Sequence, residues 1–162
     1  MFAANDLIFL LPLTLVIGWV LDYRRDAFYS FAVVVISLLF SYGMGLFYHH
    51  PAPYQVHPRA TAASGSPENS FPSQHATATV AFALGVLRRR LFVTGICFAI
   101  VAGLVSVARV VVGYHWTVDI LAGAMAGGIG LSLTELGAQY INQIADACIG
   151  IDENLREIAG FN

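Results

Sequence analysis

The chain contains no lysine: all eight of its basic residues are arginine. They form no basic tract of the kind that follows a nucleic-acid backbone, so nucleic acid is not an expected partner. Charge of either sign is scarce, at 11% of 162 residues, where a soluble domain carries about a quarter. The formal net charge of -2 argues for nothing by itself. Only two cysteines occur, Cys97 and Cys148, with neither metal-ligand spacing nor a disulfide framework. Buried small side chains are the default role for both. The N-terminus lacks a positive region and a small-residue cleavage site, so its first apolar run reads as a retained helix rather than a signal peptide.

Hydrophobic residues make up 57% of the chain and the mean hydropathy is +0.70. Five apolar segments can be marked: Leu7 to Leu21, Ala27 to Tyr48, Ser73 to Leu87, Leu91 to Val112 and Trp116 to Leu136. The first and third are short for a span of about 20 residues. None alternates apolar and polar residues as a lipid-facing β-barrel does. The uncharged run Ala27 to Tyr48 argues against a soluble helical bundle. The expected fold is an all-α membrane protein, a bundle of about five transmembrane helices plus a C-terminal amphipathic helix.

Two arginine clusters set the expected topology. Arg24-Arg25 links the first and second segments, and Arg88-Arg89-Arg90 links the third and fourth. Both fall on one side, which the positive-inside rule assigns to the cytoplasm. The loop 49–72 and the turn 113–115 then lie outside. Pro51, Pro53, Pro58, Pro67 and Pro72 argue against a regular helix through that loop. The tail carries Ile141, Ile144, Cys148, Ile151, Leu155 and Ile158 at helical spacing, opposite Asp146, Asp152, Glu153, Arg156 and Glu157. The expected division is a transmembrane domain over 1–136 and a cytoplasmic amphipathic tail helix over 137–162.

Ionisable residues inside spanning helices are functional suspects. Arg109 and Asp119 are two, and topology brings Ser73, His75, Arg109, His115 and Asp119 to one membrane face from three helix ends. Singly, each has a structural reading: an Arg or Asp near a helix end snorkels, and a Ser before a helix caps it. Jointly they form an anion site. The first turn after Pro72-Ser73 offers free backbone N–H groups, and Arg109 offers a bidentate ligand for phosphate. His115 with Asp119 reads as a nucleophile or base with its orienting carboxylate, and His75 as a general acid. The competing option is zinc held by His75, His115 and Asp119, which the nearby Arg109 cation opposes.

These residues resemble the motifs of the type 2 phosphatidic acid phosphatase superfamily. Asn69-Ser70-Phe71-Pro72-Ser73-Gln74-His75 is similar to its second motif, Pro-Ser-Gly-His, or Pro-Ser-Asp-His in one bacterial branch. Arg109 through Asp119 is similar to its third, Arg-x5-His-x3-Asp, with both spacings matched and Gly113 before Tyr114-His115. The similarity covers about residues 7 to 136. It implies that His115 forms a phosphohistidine, that Asp119 orients it, and that His75 protonates the leaving group. Arg109, the Ser73 hydroxyl and the Gln74 backbone N–H would hold the phosphoryl oxygens, with neither metal nor cofactor.

The chain also departs from the family pattern. Ala108 stands where the family has Ser, and Gln74 where it has Gly or Asp. The first motif is eroded: His50-Pro51-Ala52-Pro53-Tyr54 places His50 at an arginine position and Gly43 at the lysine position. His49, His50, His57 or Arg59 could compensate. The resemblance is greatest to bacterial undecaprenyl diphosphate phosphatases. It implies removal of the terminal phosphate of that lipid at the outer face of the bacterial plasma membrane. The substrate and the bilayer are then the expected partners. Phosphatidylglycerophosphate, phosphatidate or a lipid A phosphate are alternative substrates, phosphate transfer to a second lipid is an alternative reaction, and a non-catalytic lipid-handling protein is the alternative class.

Overall fold

The computed structural model describes residues 2–56 and 69–160, so His57 and Arg59 lie outside the described residues. The elements are α1 (Phe2–Asn5), a 3-10 turn (Leu7–Phe9), α2 (Leu10–Val20), α3 (Arg24–Phe47), α4 (Pro53–Val56), α5 (Gln74–Arg88), α6 (Phe92–Val111), α7 (Thr117–Leu136) and α8 (Ala138–Ile158). Among the described residues the only bridge between extended segments pairs Pro51 with Asn69. The all-α expectation therefore holds. Of the five expected spans, α3, α6 and α7 are long and apolar enough to cross a membrane. The apolar helix over Leu7–Val20 is shorter, and α5 has 15 residues because Ser73 caps it late.

The outward face of α6 carries Val93, Ile96, Ile100, Leu104, Val107 and Val111, all exposed. That three-and-four spacing makes a continuous apolar stripe, which suits lipid and not water. The inner faces meet in a core of Leu11, Ala78, Phe82, Ala83, Val86 and Phe98. Phe82 and Phe98 pack edge to face at 4.5 Å between centroids.

Helices α3, α5 and α7 approach closely through small and hydroxylated residues, the usual means of packing helices where lipid removes the hydrophobic drive. Ser41 Oγ lies 3.1 Å from Thr77 Oγ1. Ser37 Oγ donates to the Val33 carbonyl at 2.7 Å. A Cβ on Gly130 would fall 2.0 Å from Ser37 Oγ and 2.6 Å from Ser37 Cα. A Cβ on Gly123 would fall 2.6 Å from the Ser73 carbonyl oxygen, at the head of α5.

The two arginine clusters meet at one end of the bundle, as the topology argument requires. Arg89 pairs with Asp26 at 2.5 Å and Arg88 with Glu135 at 2.6 Å. Glu135 also accepts from the Tyr29 hydroxyl. Helix α8 continues through Gly150 and returns to this end. Its acidic residues pair with the start of α3: Asp146 with Arg25 at 2.5 Å, and Asp152 and Glu153 with Arg24 at 3.4 Å. Ile144, Ile151, Leu155 and Ile158 of its apolar stripe stay exposed.

The Gly130 contact is backbone against backbone and cannot relax by a rotamer change alone. Gly130→Ala is expected to destabilise the bundle by about 1–3 kcal/mol, read as a lowered Tm in detergent. Gly128→Ala, with nothing within 4 Å of the added Cβ, is the control and leaves the Tm near the parent value.

Candidate active site

The other end of the bundle gathers the residues selected from the motifs. Ser73, fully buried, adopts an extended conformation and caps α5, its Oγ accepting from the Ala76 N–H at 3.4 Å. The next residues, Gln74 and His75, form the first turn, whose N–H groups have no carbonyl partner within the helix. Gln74 is exposed and His75 half-buried, and the His75 ring is within electrostatic reach of Arg109 and His115.

Helix α6 ends at Val111, and Gly113 turns the chain with φ of 84°, a conformation suited to glycine just past a helix end. The Tyr114 N–H then donates to the Arg109 carbonyl at 3.0 Å. This tight return places His115 beside the arginine six residues before it. His115 Nε2 is 3.0 Å from Arg109 Nη2, and His115 Nδ1 is 2.8 Å from the Ser70 carbonyl. A guanidinium only donates and a carbonyl only accepts. The ring therefore carries its proton on Nδ1 and presents a lone pair at Nε2. Burial, then the Arg109 charge, push the imidazole down from the ordinary histidine range to about 4. It is neutral, which is the form a nucleophile needs. The partner at Nε2 is a cation, unsuited to a zinc ligand.

Asp119 is fully buried at the head of α7. Its Oδ2 accepts from the Trp116 N–H at 2.8 Å, satisfying a backbone donor at the start of α7. Its Oδ1 is 2.8 Å from His50 Nδ1. The distance from Asp119 Oδ2 to His115 Nδ1 is 3.9 Å, beyond a hydrogen bond. The nitrogen that the motif reading gives to Asp119 is held here by the Ser70 carbonyl, while Asp119 binds His50. His50, from the eroded first motif, thus lies beside the carboxylate.

The loop is tied to the site by its ends. Asn69 Oδ1 accepts from the N–H groups of His50 and Phe71, both at 3.0 Å. The Ser70 N–H and hydroxyl both donate to the His50 carbonyl, at 2.8 Å. Asn69 and Ser70 were visible only as motif flanks; Ser70 acts through its carbonyl, which no side-chain pattern encodes. Ala4 and Asn5 belong to no motif. Arg109 Nη1 donates to the Ala4 carbonyl at 3.1 Å and to Asn5 Oδ1 at 3.2 Å, and the guanidinium lies 4.7 Å from the Tyr114 ring centroid.

A neutral histidine thus lies against a buried arginine beside the heads of α5 and α7, an arrangement chemically suited to an anionic ligand. Comparison with known proteins agrees. The chain matches the PAP2 superfamily over residues 26–142. It is 33% identical over 145 residues to the putative undecaprenyl-diphosphatase YbjG of Escherichia coli, covering 88% of this chain and 71% of that protein. It is 30% identical over 98 residues to the undecaprenyl-diphosphatase BcrC of Bacillus subtilis, covering 60% of this chain and 50% of that protein. No solved structure matches. The chain belongs to the PAP2 superfamily and is a membrane lipid phosphatase by class.

The histidine environment sets a pH dependence of stability. Folded His115 takes up a proton only near its lowered pKa of about 4, whereas an unfolded histidine does so near about 6.5. Protons therefore favour the unfolded chain within that window. This contribution is complete above the unfolded value and is lost as pH falls through the folded one. The Tm in detergent is expected to fall across the window, and less steeply in His115→Gln. Equal slopes for the two proteins would refute the assignment.

Proposed function

We propose that the chain hydrolyses the terminal phosphate of a lipid diphosphate, undecaprenyl diphosphate first among the candidates, through a phosphohistidine on His115. The observation that carries this reading is the neutral His115 ring, its Nε2 lone pair beside the buried Arg109 guanidinium. The names of the two relatives support the choice of lipid.

A phosphoryl oxygen competing for Arg109 Nη2 would free Nε2 for attack. Nε2 then forms a bond to the terminal phosphorus as the bridging P–O bond breaks. The negative charge of the bound substrate favours protonation of His75, which then gives its proton to the departing lipid monophosphate. The phosphorylated imidazole gains positive charge, stabilised by the Ser70 carbonyl on Nδ1–H and by Asp119 at 3.9 Å. Water, deprotonated by His75, attacks the phosphorus next. The P–N bond breaks, and inorganic phosphate leaves. Ser73, Gln74 N–H and Arg109 hold the phosphoryl oxygens, and His50 takes the place of the family's arginine at the rim. Arg59, outside the described residues, is a further candidate phosphate ligand. No step needs a metal.

On this reading the site faces the cell exterior, the arginine clusters and the tail of 137–162 face the cytoplasm, and α2 and α5 complete five membrane segments over residues 1–136. The pairing of Arg88 and Arg89 with Glu135 and Asp26, at the end away from His115, supports that polarity.

His115→Ala is expected to lower hydrolysis of an isoprenyl diphosphate by about three orders of magnitude, well beyond any loss that its Tm accounts for. Hydrolysis persisting in that variant would eliminate the nucleophile assignment. Wild-type protein is expected to keep its activity in chelator and to prefer the isoprenyl diphosphate over phosphatidate or phosphatidylglycerophosphate. The reverse preference would move the substrate to glycerolipids, and label transferred to an added lipid would indicate transfer over hydrolysis.

A further inference from the structure

Arg109 is buried, at 5% exposure, yet no carboxylate pairs with it among the described residues. Its Nη1 is occupied by two neutral acceptors from the far end of the sequence, the Ala4 carbonyl and Asn5 Oδ1. Its Nη2 meets His115 Nε2. Its Nε has no partner among the described residues. Ala4 is itself buried, at 1% exposure, so α1 is seated in the site end of the bundle.

We propose that Asn5 is a positioning residue for Arg109, and that the N-terminal segment completes the phosphate site by holding the guanidinium without neutralising it. This rests on the reading of Arg109 as a phosphate ligand. A guanidinium has five N–H donors in a rigid plane. Fixing the Nη1 corner sets the direction of the others. A carboxylate in place of Asn5 would fix the same corner with better geometry, but would cancel the charge that draws the phosphate. An amide oxygen orients and leaves the charge free. The neighbouring Asp6 is exposed, so its carboxylate does not serve in place of the amide.

The near-isosteric Asn5→Asp separates positioning from mere packing, because it preserves shape and adds charge. Hydrolysis of a detergent-solubilised isoprenyl diphosphate and inhibition by orthovanadate are measured for Asn5→Asp, Asn5→Ala, Arg109→Ala and the parent. Asn5→Asp is expected to raise both KM and the orthovanadate Ki about tenfold, with a smaller effect on kcat and a Tm no lower than that of the parent. Asn5→Ala, which keeps the Ala4 carbonyl, is expected to raise them about threefold. Asn5→Asp behaving as the parent, while Arg109→Ala is inactive, overturns this inference and leaves the phosphatase reading standing. Losses in both Asn5 variants that follow a lowered Tm, with KM unmoved, overturn it too. Full activity in Arg109→Ala removes the reading beneath it.

Discussion

The imidazole of His115 is gripped from both sides, by the Ser70 carbonyl on Nδ1 and by Arg109 on Nε2. Most of the architecture at this end of the bundle serves that grip. The Ser70 carbonyl can reach the ring because Asn69 and Ser70 are bonded back to His50, which follows α3. Arg109 can reach it because Gly113 folds the chain over the end of α6. The capped head of α5 comes alongside because Gly123 of α7 leaves room for the Ser73 carbonyl, whose own N–H donates to the Asp119 carbonyl at 3.0 Å. Three helices and one loop thus converge through contacts within a hydrogen-bond length. A shift of an ångström in any of them would reach Nε2 of His115.

How much of this could be read from the sequence depends on what each contact is made of. Helical spans such as α3, α6 and α7 are written in runs of apolar residues, and the gathering of His75, Arg109, His115 and Asp119 follows from counting helix ends. Side-chain spacing carries that information directly. The partner of His115 Nδ1 does not follow, because it is a backbone carbonyl and every residue has one. The 15 residues of α5 and 11 of α2 likewise depend on where caps and turns cut the apolar runs. Asn5 gave no signal, since a polar residue before an apolar run reads as a chain end. Only the fold, by laying α1 against α6, gives it a role.

The departure in the first motif has a structural counterpart. Asp119 has two oxygens and two bonded partners, the Trp116 N–H and His50. A buried carboxylate needs such satisfaction. With His50 in the place of a longer arginine, a side chain from the loop is short enough to sit on Asp119 itself, with its ring 6.0 Å from the Trp116 ring. His50 therefore couples the loop to the carboxylate. The Ser70 carbonyl makes the direct bond to the His115 ring.

Arginines at the two ends of the bundle are handled in opposite ways. Arg24, Arg25, Arg88 and Arg89 each meet an Asp or Glu. Their charges are locally compensated, and they join α3, α5, α7 and α8 at one end. Arg109 meets a carbonyl, an amide, an imidazole and an aromatic ring. Burying a cation among neutral partners sacrifices solvation that a carboxylate would restore, so stability alone does not favour it. An anionic ligand does, because it finds a positive charge already desolvated and oriented. The type of residue is the same at both ends. The difference in partners is what separates the arginines that hold the bundle together from the one proposed to receive phosphate.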